Sequence, residues 1–133
     1  MISTKEILSK FKNVALVGAS GDLTKTSSIV MKYLQNSGFK VYPVNPNLKG
    51  QKILGEIVFG KISEIKSPVE IIDVFRPSDE AIEIAKDAVK IGAKVLWLQL
   101  DIKNEEARKI VEANDILYIE DKCTKIEFEK YLN

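Results

Sequence analysis

Residues Asn13 to Gly21 spell NVALVGASG, in which the apolar run Val14–Val17 is stopped by a glycine and small side chains. A run of that length without polar alternation marks a strand buried on both faces, the kind found in parallel sheets. Working outward, Ser3-Thr4-Lys5-Glu6 forms a capping-box pattern, and Ile7, Leu8 and Phe11 follow as one apolar helical stripe. On the other side, Ser27–Ser37 places Ile29, Val30, Tyr33 and Leu34 at helical spacing, with Gly38 at the stop position.

The alternation then continues. Phe39–Val44 is a second strand ended by Asn45-Pro46, and Val69–Phe75 (VEIIDVF) is a third. Ser78-Asp79-Glu80 caps a helix whose Ala81, Ile82, Ala85, Ala88 and Val89 are expected to face inward, closed by Gly92. Ala93–Leu100 (AKVLWLQL) is the fourth strand and Ile116–Ile119 the fifth, with a helix opened by Asn104-Glu105-Glu106 between them. A last helix covers Thr124–Leu132. Parallel neighbours need crossover connections, so this order predicts an α/β fold, Rossmann-like and doubly wound, with a mostly parallel five-stranded sheet in a single domain over residues 1–133. Residues 47–67 fit least well, and a long, partly ordered excursion is expected there.

With 133 residues the chain can hide roughly two-thirds of its unfolded surface. Its 20 basic and 19 acidic side chains leave a net charge of +1, so no global charge favours nucleic acid or a membrane surface. There is no histidine, which removes triads, dyads and histidine-held metals. The single cysteine removes an internal disulfide and a thiolate zinc cluster. No apolar run suits a membrane helix or signal peptide, and a cytoplasmic location is expected.

In such a sheet, ligands bind beyond the carboxyl ends of the strands. After strand one, Gly18, Ala19, Ser20 and Gly21 let backbone amides approach an anion. Lys25 adds a charge, and Ser20, Thr26, Ser27 and Ser28 add hydroxyls. The plainer reading is a tight turn with Ser27 or Ser28 as N-cap, and the two weigh evenly on this loop alone. After strand two there is no acid to bind ribose hydroxyls, as a dinucleotide site requires. Asn45, Pro46 and Lys49 stand there instead, suited to an adenine face and a nearby phosphate; alone, Asn-Pro is more simply a turn former. After strand three come Phe75, Arg76 and Pro77. Arg76 is one of only two arginines, and arginine gives bidentate phosphate recognition. A salt bridge to Asp73 or Asp79 is its plainer role. In strand four Trp97 reads as core, whereas Gln99 is a buried amide in need of partners. Cys123 lies between Lys122 and Lys125, which favour a thiolate, although a small residue without chemistry is the simpler account.

Five segments in this order resemble the stand-alone CoA-binding domain proteins (the CoA_binding_2 group), relatives of the CoA-binding half of the succinyl-CoA synthetase alpha subunit. They are VALVGAS, YPVNPNLKGQKILGE, VEIIDVFRP, IGAKVLWLQLDIKNEEA and IEDKCTKIE. The resemblance implies that Gly18, Ala19, Ser20 and Gly21 hold the pyrophosphate of coenzyme A. It places Asn45 and Pro46 at the adenine and Lys49 near the ribose 3′-phosphate. Phe75, Arg76 and Pro77 would line the nucleotide and pantetheine path, with Trp97 and Gln99 as the far wall. One departure is Lys25-Thr26 where the family often carries Arg-Pro, which keeps a charge but loses the fork.

The related synthetases also use a phosphorylated histidine and a nucleotide-grasp domain, neither present in this sequence. The resemblance therefore implies a small module that binds coenzyme A or an acyl-CoA as carrier, sensor or subunit of a partner enzyme, with no reaction of its own. Lys25, Lys49 and Arg76 are expected to converge on one sheet edge. An NAD(P)- or other nucleotide-dependent enzyme on the same fold is the alternative. A third idea is a mixed disulfide between Cys123 and the CoA thiol. Oligomerisation stays open.

Overall fold

The computed structural model describes residues 2–133. Along the chain run α1 (Thr4–Lys10), β1 (Asn13–Val17), α2 (Thr26–Asn36), β2 (Lys40–Val44), β3 (Lys52–Ile53) and β4 (Glu56–Ile57). There follow β5 (Ile71–Val74), α3 (Ala81–Ile91), β6 (Val95–Leu98), α4 (Glu105–Glu112), β7 (Leu117–Ile119) and α5 (Thr124–Tyr131). Five strands form one sheet in the order β2-β1-β5-β6-β7, every pairing parallel, the Rossmann-like arrangement expected from the apolar runs.

Side chains alternate across each strand and divide the interior in two. Val14 and Leu16 of β1, Ile71 of β5 and Trp97 of β6 pack with α1, α2 and α5. Ala15, Ile72, Val74, Leu96 and Leu98 point the other way, against α3 and α4. Every inward residue of β5 and β6 is buried, because helices cover both faces.

The local signals hold with small shifts. Ser3 and Glu6 make the reciprocal capping box at α1, and Asn104 caps α4 by accepting from the Ala107 amide at 2.9 Å. Ser78-Asp79-Glu80 forms a single 3-10 turn before α3 and no side chain caps that helix. Ser78 instead ties down the loop after β6, its hydroxyl accepting from the Lys103 amide at 3.1 Å. Within α3 it is Ile84, not Ile82, that is buried beside Ala81, Ala85 and Ala88.

The excursion carries short regular elements joined by irregular stretches. A 3-10 turn spans Pro46–Leu48, β3 and β4 form a two-residue hairpin, and another 3-10 turn covers Ile62–Glu64. Leu54 and Gly55 both adopt positive φ, +49° and +84°, as a two-residue hairpin turn with the right twist demands. Buried Ile53, Val58 and Ile62 anchor the segment. Phe59 then closes the β2 edge: its amide donates to Pro43 O at 2.9 Å and its carbonyl accepts from the Asn45 amide at 2.9 Å.

The order places the topological switch between β1 and β5, where the chain goes first to β2 and then back past β1. Register makes those ends level. Val17 lies beside Val44 on one side and Val74 on the other, so Gly18, Asn45 and Phe75 leave the sheet side by side.

Candidate functional site

A cavity of about 560 Å3 opens at this switch point, within the range that holds small-molecule ligands. Gly18, Asn45, Pro46 and Arg76 line it, and Ile62 and Ile84 contribute apolar wall. Gly18 has φ +94°, and a Cβ there would stand 2.7 Å from the Phe75 carbonyl oxygen and 3.0 Å from Arg76 Cδ. Only glycine lets the first turn run this close to the third. Asn45 ties the first and second turns together, its Nδ2 donating to Ala19 O at 2.9 Å.

The Gly18 and Ala19 amides are already used, both donating to Val44 O at 3.0 and 3.3 Å. The amides of Ser20, Gly21, Thr26 and Ser27 have no acceptor among the described residues. Lys25 is the N-cap of α2 and makes no side-chain cap, so the helix's positive end is left uncapped. Neither Ser27 nor Ser28 is the N-cap. Ser28 braces the loop from inside, its hydroxyl 2.9 Å from both Ser20 O and Asp22 O. Asp22 accepts from the Thr24 amide and hydroxyl, and these hydrogen bonds hold its carboxyl below the usual range.

The three expected cations do not all line the cavity. Of Lys25, Lys49 and Arg76, only Arg76 lines the cavity. Lys49 lies against Gly60, which does line it, while exposed Lys25 belongs to the α2 end. Both flanking cations are paired with glutamates. Arg76 Nε and Nη2 donate to the two Glu80 oxygens at 3.0 and 2.7 Å, so its partner is neither Asp73 nor Asp79. Lys49 Nζ donates to Glu64 at 2.9 Å, and the Gly60 amide donates to the other Glu64 oxygen at 2.9 Å. Hydrogen bonding from these cations holds both glutamates below the usual carboxylate range.

The remaining candidates fall elsewhere. Phe75 is half-buried against the α1/α2/α5 core, and Pro77 is exposed ahead of the 3-10 turn. Trp97 has no exposed surface, and its Nε1 donates to Lys122 O at 2.8 Å; it is core and no wall of the cavity. Gln99 is buried and finds its partners in a cluster on the opposite face. Its Nε2 donates to Asp73 Oδ1 and, at 3.1 Å, to Thr124 Oγ1, whose hydroxyl donates to Asp73 Oδ2 at 2.9 Å. Burial pushes the Asp73 carboxyl up to about 7 against the opposing pull of those hydrogen bonds. Cys123 is nearly buried beside this cluster, and burial, reinforced by Asp73, pushes its thiol up. Lys125 is paired with Glu129 at 2.9 Å, so the plainer account of Cys123 is the one the geometry favours.

Glu64, Glu80 and the Asp73–Thr124 contact were not foreseen. Glu80 was detectable, four residues from Arg76; Asp73 stood out as a charge in the middle of the apolar run Ile71–Phe75.

A model of the CoA binding domain matches residues 12–129. The chain belongs to the CoA-binding domain family. Within reach of it stands an uncharacterized protein of Bacillus subtilis (strain 168), YneT, 34% identical over 122 residues, which cover 92% of this chain and 89% of that one. An ADP-forming acetate–CoA ligase of Methanocaldococcus jannaschii is 26% identical over 83 residues, 62% of this chain but only 12% of the ligase. Among solved structures, a hypothetical protein from Pyrococcus horikoshii OT3 superposes with a TM-score of 0.93 at 35% identity, covering 98% of this chain and 90% of that one. The CoA-binding domain here thus makes up nearly the whole length of its small relatives and a small part of the ligase.

Proposed function

We propose that this chain binds coenzyme A or an acyl-CoA as a stand-alone module and performs no reaction itself. The observation that carries the reading is the meeting of Gly18, Asn45, Pro46 and Arg76 in one cavity at the switch point of a CoA-binding domain. The free amides of Ser20, Gly21, Thr26 and Ser27 at the α2 end supply donors for a diphosphate although the net charge of the chain is only +1. Pro46 offers an exposed flat ring for the adenine, and Arg76 a planar fork for phosphate oxygens. Cys123 lies outside the cavity. Carrier, sensor and subunit of a larger enzyme all fit such a module, in the cytoplasm.

Calorimetric titration of the purified chain with CoA, acetyl-CoA, NAD and NADP tests the reading. CoA is expected to bind, with NAD and NADP failing to compete, since no acid follows β2 to take the ribose hydroxyls. Tight NAD binding with no CoA binding would move the chain to the dinucleotide enzymes.

A further inference from the structure

The fork of Arg76 that faces the cavity is occupied by the chain itself. Glu80 sits four residues on, in the 3-10 turn before α3, and takes Nε and Nη2 in a two-pronged contact. Both residues line the cavity, and both are about half exposed, 47% and 45%. An intramolecular carboxylate is present at a high effective concentration, so it competes with any incoming anion. If the ligand's phosphate displaces Glu80, the ion pair must first break. If it takes the free edge of the guanidinium instead, the Glu80 charge stays within repelling range. Affinity is lowered in both cases. The same construction recurs at Lys49, whose Nζ is held by Glu64, itself fixed by the Gly60 amide.

We infer that Glu80 is an internal competitor for the anion site, a carboxylate that weakens the hold of Arg76 on a phosphate-bearing ligand. The inference rests on the CoA-binding reading for the identity of the ligand. Its physical core, a carboxylate in the place of a phosphate on Arg76, does not.

The test is a double-mutant cycle with Arg76→Gln, Glu80→Gln and the double variant, titrated with inorganic pyrophosphate and separately with CoA. Thermal melting of each variant checks folding; an exposed pair is expected to leave it nearly unchanged. Glu80→Gln is expected to tighten pyrophosphate by roughly two- to fivefold, the scale of one exposed ion pair. In the Arg76→Gln background the same change is expected to tighten pyrophosphate less, because only the direct repulsion of the anion by the Glu80 charge remains and the competition for Arg76 is gone. Unchanged or weaker pyrophosphate binding in folded Glu80→Gln would overturn the inference and make Glu80 a positioning residue for the arginine. Tightening of equal size without Arg76, or no pyrophosphate binding in any variant, would overturn it as well. The CoA titrations keep the two ideas apart: loss of CoA binding everywhere with pyrophosphate still tightened contradicts the CoA reading and leaves the Glu80 competition standing.

Discussion

Strand β5 carries two polar assemblies three residues apart, and they are built in opposite ways. Asp73 points toward α5 and is sealed, with no exposed surface and every oxygen engaged by Gln99 or Thr124. Arg76, just past the strand end, reaches into an open cavity and is held only by Glu80, itself about half exposed. The sealed cluster joins β5, β6 and the start of α5, and breaking it leaves partners buried without hydrogen bonds. The open pair costs little to break, because water replaces what is lost. One strand thus supplies a fixed joint on one face and an exchangeable contact on the other.

Substitutions and pH separate these two roles. The largest effect is expected on the sealed side. Trp97 has no exposed surface and pairs in register with Asp73, so Trp97→Ala should cost about 3–5 kcal/mol of stability in chemical denaturation. Trp97→Phe should lose less stability and keep ligand affinity; a large loss of CoA affinity in a well-folded Trp97→Phe would return this residue to the ligand wall.

The next effect is a pH dependence of stability. Asp73 titrates near 3.8 when exposed and at about 7 in the fold, so between those values the native chain holds a proton that the unfolded chain has released. The native state binds more protons, and stability must therefore fall as pH rises through that window, by at most about 1.4 kcal/mol per pH unit, and level off above it. Denaturation curves from pH 4.5 to 8 should show the fall, and Asp73→Asn should flatten it. A wild-type curve that rises over this window would mean that Asp73 is ionised and stabilised by its two donors.

Much of this architecture could be read from the amino-acid order. Unbroken apolar runs such as VALV and VLWL are strands because only a two-sided burial accommodates them, and the order of strand and helix then dictates parallel pairing. The hairpin of residues 52–57 escaped notice because two-residue strands are too short to show a period. Its turn was half hidden as well, because Leu54 takes a positive φ that its residue type does not announce and only Gly55 does. The cavity's turns were visible as Gly18, Asn45-Pro46 and Arg76, since register alone brings strand ends level. Their charge balance was not, because the Lys49–Glu64 pair depends on how the excursion folds back. Gln99 announced a need for partners. Which residues meet it depends on the position of α5, twenty-five residues later, and no local pattern encodes that.

The most direct trial of the central claim is a CoA titration of the wild-type chain and Arg76→Ala, with melting temperatures measured on the same samples. Arg76 should contribute about 1–2 kcal/mol to binding, a five- to thirtyfold loss when removed, discounted for its partial exposure. Stability should change by less than about 0.5 kcal/mol, since only an exposed ion pair is lost. Equal CoA affinity in the two proteins, or no CoA binding by the wild type, would contradict the account.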